Sequence, residues 1–183
     1  MVHNKRTVNS KDNWGTPVSL FKRLNKRIYE LYHRRFTIDI CATKDNRKCK
    51  RFYSKEQNGL IQDLQGEVAF CNPPYSEKAK WIEKCYNEGK KPNTIVVILI
   101  PPVTDTSAWH TYCMKADRIL LCVGRVQFWL NGKKIDKSGN SIGSAIIIFK
   151  KTINKTPVFE SFYHNEKDVA ILESKQITDF IEG

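Results

Sequence analysis

Thr94 opens a run, Ile95-Val96-Val97-Ile98-Leu99-Ile100, that is apolar at odd and even positions alike. A strand with no polar face belongs in the middle of a sheet covered by helices on both sides. Val68 to Cys71 and Ser144 to Phe149 predict two further core strands, and Phe36 to Ile40 and Arg118 to Val123 two more. Helical spacing follows Thr16-Pro17, where Thr can cap and Pro suits the first turn. There Phe21, Leu24, Ile28 and Leu31 form one apolar face. Ser76 to Glu88 predicts a second helix with Ala79, Ile82 and Tyr86 on one side, and Asp105 to Lys115 a third. Val126 to Leu130, Asn131-Gly132 and Lys133 to Asp136 carry a hairpin signal. Residues 43–58 are polar and predict no element. A strand at Val158–Tyr163 and a helix at Ser174–Ile181 complete the tail. Strands alternating with helices make this an α/β chain, with a mostly parallel sheet, helices on both faces and an antiparallel hairpin near the end. The 183 residues suffice for one domain, residues 14–183, behind a polar and flexible arm, residues 1–13.

One corner interrupts this pattern. The strand Val68-Ala69-Phe70-Cys71 runs straight into Asn72-Pro73-Pro74-Tyr75. Each proline pushes the residue before it into an extended conformation, so the loop is stiff before any ligand arrives. The Asn72 side-chain carbonyl and the Pro73 main-chain carbonyl can face one way and accept from an exocyclic amine. The Tyr75 ring can stack on a flat heterocycle, a contact worth roughly 1–3 kcal/mol. Ligands of open α/β sheets sit at the carboxyl ends of strands, which is where this corner falls. The plain alternative is a proline-stiffened turn with an exposed tyrosine.

Charge adds a polymer to the picture. The net charge is +12, and residues 1–58 carry +10 of it, from 15 Lys and Arg against 5 Asp and Glu. Residues 156–183 carry −4. This asymmetry favours a basic face meeting nucleic acid over a uniformly solvated surface. The Lys22–Arg27 and Lys44–Arg51 clusters are candidates for phosphate contacts or for solvated faces. Arg125, between a core strand and the hairpin, could meet a phosphate, the target base or an acidic neighbour. The six cysteines have no CxxC spacing, so they read as reduced thiols and no metal site is expected. No apolar run approaches the ~20 residues of a membrane span, and the opening residues lack a signal-peptide core.

Asn72-Pro73-Pro74-Tyr75 is also the signature of S-adenosylmethionine-dependent methyltransferases acting on planar amino or amide nitrogens. With Trp14-Gly15-Thr16-Pro17, Asp39-Ile40-Cys41-Ala42, Asn58-Gly59-Leu60 with Asp63, Pro101, Thr104-Asp105-Thr106, Trp109 and Gly124-Arg125-Val126 with Phe128, the chain resembles phage and prophage DNA N6-adenine methyltransferases. The resemblance runs from about Asp12 to Phe149.

It implies a Rossmann-like methyltransferase fold and methyl transfer from S-adenosyl-L-methionine to an adenine flipped out of double-stranded DNA. It implies catalytic roles for Asn72, Pro73, Pro74 and Tyr75. It implies cofactor contacts from Trp14, Thr16, Pro17, Asp39 and Ala42, with Thr16-Pro17 meeting the methionine carboxylate and Asp39 near the amino group and sulfonium. Asp63 either meets the cofactor adenine or is a plain loop charge. A monomer in the cytoplasm of a bacterial host cell is expected. Two departures from the family pattern stand out. Ile40-Cys41-Ala42-Thr43 replaces the usual glycine-rich loop, and Asn58 stands where relatives commonly carry aspartate, with Glu56 as a candidate for a ribose hydroxyl. The same chemistry on cytosine N4, RNA adenine or protein glutamine is the runner-up. A catalytically silent nucleic-acid-binding protein is the alternative of a different class.

Overall fold

The computed structural model describes residues 12, 14–130, 133–134 and 142–164. In chain order these form α1 (Val18–Tyr32), β1 (Ile38–Asp39), β2 (Arg51–Phe52), β3 (Val68–Cys71), α2 (Lys78–Gly89) and β4 (Ile95–Ile100). Then follow α3 (Ser107–Thr111), β5 (Arg118–Val123), β6 (Trp129–Leu130), β7 (Lys133–Lys134), β8 (Ala145–Lys150) and β9 (Val158–Tyr163).

All six residues of β4 are buried, as its unbroken apolar run requires. Ile95, Val97 and Leu99 enter one core cluster, and Val96, Ile98 and Ile100 the other. That is the alternation of Cβ directions along a strand. β3 divides the same way, with Val68 and Phe70 on one side and Ala69 and Cys71 on the other. Helix α1 covers the first face with Leu20, Leu24 and Ile28. Helices α2 and α3 cover the second with Trp81, Ile82, Cys85 and Trp109.

The seven-stranded sheet has the order β2-β1-β3-β4-β8-β5-β9. β1 to β4 pair in parallel, β8 runs antiparallel to both β4 and β5, and β9 is parallel to β5. This is a Rossmann-like α/β methyltransferase fold. From β1 the chain moves outward to β2, then returns to place β3 on the other side of β1. The order therefore reverses between β1 and β3, and the crevice beyond their carboxyl ends is where such sheets take ligands.

Several elements differ from the sequence reading. The predicted strand over Phe36–Ile40 is ladder-paired only at Ile38–Asp39. The polar stretch 43–58 contains the edge strand β2. Ala79 is exposed, and the buried side of α2 is Trp81, Ile82, Cys85, Glu88 and Gly89. The helix expected over Asp105–Lys115 is five residues long and is followed by a 3-10 turn at Cys113–Lys115. It starts at Ser107 because the Thr106 hydroxyl accepts from the Trp109 amide. Thr16 does not cap α1. Pro17 stands at that position with no side-chain bond, and Thr16 is buried instead. β6 and β7 form a separate two-stranded sheet, and the antiparallel strand of the main sheet is β8. The expected helix at Ser174–Ile181 and the Asn131-Gly132 turn lie outside the described residues. Among the described residues no helix is long and apolar enough to cross a membrane.

Two glycines fix how closely the layers approach. A Cβ at Gly89 would lie 2.6 Å from Phe149 Cβ, and one at Gly59 would lie 2.1 Å from the Ile40 carbonyl oxygen. Gly89→Ala and Gly59→Ala are each expected to cost at least about 1–3 kcal/mol in denaturant unfolding, the scale of overpacking. Gly66→Ala is the control. Its Cβ meets nothing within 4 Å at φ +81°, so only the left-handed backbone penalty of about 1–2 kcal/mol applies.

Candidate active site

β3 delivers Asn72 to the carboxyl edge of the sheet, and Pro73 and Pro74 carry the chain into a 3-10 turn, Tyr75–Glu77, that leads into α2. Asn72 Nδ2 donates to the Trp14 main-chain oxygen at 2.7 Å. A carbonyl only accepts, so the amino end of the amide must face Trp14. Its oxygen, Oδ1, is thereby turned away as the acceptor end. The sequence predicts Asn72 and Pro73 as acceptors. It gives no sign that Trp14, 58 residues earlier, sets the orientation.

Trp14 is held on several sides. Its ring stacks on Phe128 at 5.5 Å and meets Tyr75 edge-on at 5.9 Å, while Tyr75 and Phe128 are 6.4 Å apart. Gly15 and Trp129 exchange two main-chain hydrogen bonds, at 2.7 and 2.9 Å. Asp12, assigned to the polar arm by sequence, accepts from the Ser76 amide and hydroxyl at 3.1 and 2.8 Å. Of the hairpin aromatics, Phe128 is buried and Trp129 is 37% exposed. Burial pushes the Tyr75 phenol well above its usual range, so it stays neutral.

Asp39 ends β1 one strand away, paired with Phe70. It is buried, and its two carboxylate oxygens accept from the Cys41 amide at 3.4 Å and the Lys48 amide at 2.9 Å. Burial raises its pKa to about 6, against the lowering effect of those two bonds. The loop it gathers is pinned by Ala42 N donating to the Tyr53 oxygen at 3.1 Å and by reciprocal bonds between Thr43 and Asn46. Asn46 Cβ lies 3.7 Å from where a Cβ on Gly15 would be, so this loop adjoins the Trp14–Pro17 segment.

Asn58 has φ 49°, and its side chain accepts from the Leu60 amide. Asparagine tolerates that left-handed conformation, and the next residue must be glycine to pass the Ile40 carbonyl. Asn58-Gly59-Leu60 is therefore a backbone solution. Glu56 lies exposed in the preceding turn.

The structure does not bring Asp63 to this crevice. Its carboxylate binds Lys91 Nζ at 2.9 Å and the Gln65 amide at 2.9 Å, with the side chain 69% exposed. Lys91 follows α2 and precedes β4, so the pair lies at the amino ends of the strands. Arg125 is exposed and has no carboxylate partner among the described residues; its Nη1 lies 3.6 Å from the Cβ position of Gly143. The basic clusters are partly used within the fold. Arg27 binds Glu160 at 2.6 Å, Arg51 binds Glu67 at 2.8 Å, and Lys48 Nζ binds the Asn46 oxygen.

Three buried polar atoms, Thr16 Oγ1, Trp81 Nε1 and Ser144 Oγ, have no partner among the described residues. Buried polar groups are normally bonded. The unpartnered Thr16 hydroxyl, on the segment that adjoins the Asp39 loop, and the buried Asp39 carboxylate fit a polar ligand with a positive centre. S-adenosyl-L-methionine has that character.

Residues 3–174 match the family model for the DNA N-6-adenine-methyltransferase (Dam). The chain belongs to this family. A DNA N-6-adenine-methyltransferase of Haemophilus phage HP1 is 26% identical over 152 residues, covering 82% of this chain and 85% of the relative. One of Escherichia phage T1 is 26% identical over 160 residues, covering 77% and 63%. Membership makes the protein a methyltransferase, and it selects DNA adenine from the acceptors that the Asn72-Pro73-Pro74-Tyr75 corner leaves open.

For this methyltransferase the raised pKa of Asp39 has a stability consequence. Its folded value, about 6, lies above the ordinary 3.8. The contribution is therefore complete below about pH 4 and is lost as pH rises through about 6. Relative to an Asp39→Asn variant, wild type is expected to lose about 3 kcal/mol of unfolding free energy between pH 4 and 8, measured by denaturant titration.

Proposed function

We propose that the enzyme methylates N6 of an adenine flipped out of double-stranded DNA, with S-adenosyl-L-methionine as donor and a single domain, acting as a monomer, doing the work. The observation that carries this reading is the bond from Asn72 Nδ2 to the Trp14 oxygen. It leaves the Asn72 carbonyl, with that of Pro73, to receive the two N–H bonds of an exocyclic amine. Held this way, the nitrogen lone pair is directed out of the ring plane and toward the donor. Tyr75 supplies the flat surface for a base removed from the stack.

S-adenosyl-L-methionine supplies a methyl group already activated on a sulfonium. Thr16, with Trp14 and Pro17, would take its methionine carboxylate, and Asp39, with Ala42 beside it, its positive end. In such a transfer the nitrogen held by Asn72 and Pro73 would gain the methyl carbon as the carbon–sulfur bond broke, that bond's electron pair staying on sulfur. The methylated nitrogen would carry the positive charge and lose a proton to water. No residue of the corner needs to act as a base: Asn72 does not titrate, and Tyr75 stays neutral. The protein's contribution is placement, which is worth several kcal/mol when reacting atoms are well aligned. Asp63 is left outside this assignment.

Asn72→Ala is expected to lower methyl transfer to unmethylated duplex DNA by at least about 10²–10³, the scale for removing one fixed polar group from a reacting site. Donor binding should persist. Asp63→Ala should transfer methyl at close to the wild-type rate. The assay is incorporation of labelled methyl from S-adenosyl-L-methionine. Normal transfer by Asn72→Ala would refute the assignment, and transfer to RNA but not DNA would refute the substrate.

A further inference from the structure

At the amino ends of the parallel strands, opposite the Asn72 corner, lies a cavity of about 230 Å³. Lys90, Lys115, Lys150 and Lys151 surround it, with Tyr86 and Phe149 in its wall. Lys90 follows α2, Lys115 closes the turn before β5, and Lys150 pairs with Ile95 at the start of β4.

None of these four ammonium groups has a carboxylate partner among the described residues. Nearby cations behave differently: Lys84 and Lys91 both bind Glu88, at 2.8 and 2.7 Å. Two of the four pocket lysines share one aromatic ring: Lys90 Nζ lies 4.5 Å and Lys115 Nζ 5.9 Å from the Tyr86 ring centre. The Lys150 side chain alternates to the α1 face of the sheet, where its Nζ lies 5.5 Å from the Tyr32 ring centre. Tyr86 in turn packs edge-on against Phe149 at 6.0 Å. The Lys90 and Lys115 ammonium groups, both drawn to the Tyr86 ring, repel one another, and a bound anion removes that cost.

We infer that this basic pocket binds the phosphodiester backbone of a second DNA segment, distinct from the one at the active site. The inference rests on DNA being the substrate. The six residues of β4 separate the two ends of the sheet, a span of roughly 20 Å at about 3.3 Å per residue. A duplex seated at the crevice reaches the far end only by sharp bending, which costs several kcal/mol over a short site. The phosphates at the pocket therefore belong to another stretch of DNA. Lysines alone line its charged rim. They lack the forked geometry by which arginine fixes a single phosphate or carboxylate, and they suit a backbone met as a row of charges. Such a surface would hold the enzyme on DNA while the crevice samples adenines elsewhere.

The test is bridging. Wild-type protein on an immobilised duplex is expected to capture a second, fluorescent duplex from solution. The Lys90→Gln/Lys115→Gln/Lys151→Gln variant should capture at least about tenfold less. Its salt slope should be smaller by about 2–3, since each removed ammonium neutralises about one phosphate. Its methyl transfer to a short duplex should match wild type, which shows the variant is folded and keeps this result separate from the catalytic reading. Lys151→Glu alone, at an exposed position, should reproduce part of the loss. Equal capture by the variants, or no capture by wild type at low salt, overturns the inference. Displacement of the second duplex by inorganic phosphate at matched ionic strength also overturns it, by assigning the pocket to a small anion.

Discussion

A single hydrogen bond, from the Asn72 amide to the Trp14 carbonyl, decides which way the Asn72 side chain faces. A carboxamide has a donor end and an acceptor end, so fixing one fixes the other. Pro73 and Pro74 make the loop rigid, but rigidity alone leaves the amide free to turn over. Trp14 removes that freedom because its carbonyl can accept and cannot donate. The segment that carries Trp14 is itself held by Phe128, Tyr75, Trp129 and, through Asp12, Ser76. The orientation of Asn72 thus depends on residues drawn from the start of the chain and from the segment that leads into β6.

The topology explains why these parts meet. β1 and β3 are neighbours with the order reversing between them, which opens a crevice at their carboxyl ends. Asp39 ends β1 there and organises the following loop, and that loop reaches Gly15, next to the buried Thr16 hydroxyl, which has no partner among the described residues. At the opposite end of the sheet Lys90 and Lys115 lie against Tyr86.

Much of this is legible in the sequence, for identifiable reasons. β4, β5 and β9 are readable because their strands are continuous and their ends sharp. The Asn72 corner is readable because two prolines define its backbone without tertiary help. What stays hidden depends on contacts distant in sequence. No local pattern says that Trp14 meets Asn72, that Asp12 binds Ser76, or that Trp81 rather than Ala79 anchors α2. Asp63 stands in a motif that suggests a ligand, yet its partner Lys91 lies 28 residues on. Asn58 differs again. Its departure from aspartate suggests a missing ligand, but its left-handed backbone and the close approach at Gly59 give it a structural role. Thr16 is placed by sequence as a cap and is instead a buried hydroxyl awaiting a bond.

The Asn72 amino group is committed to Trp14, which leaves its oxygen for the amine of the proposed substrate. Single-turnover methyl transfer by an Asn72→Asp variant tests this most directly. Aspartate keeps the size and the outward acceptor but sets an oxygen against the Trp14 carbonyl, where a donor is required. Transfer is expected to fall by at least about 10²-fold, as for loss of a positioned polar group. A rate close to wild type would contradict this, since an acceptor alone would then suffice and the bond to Trp14 would have no part in orienting the amide.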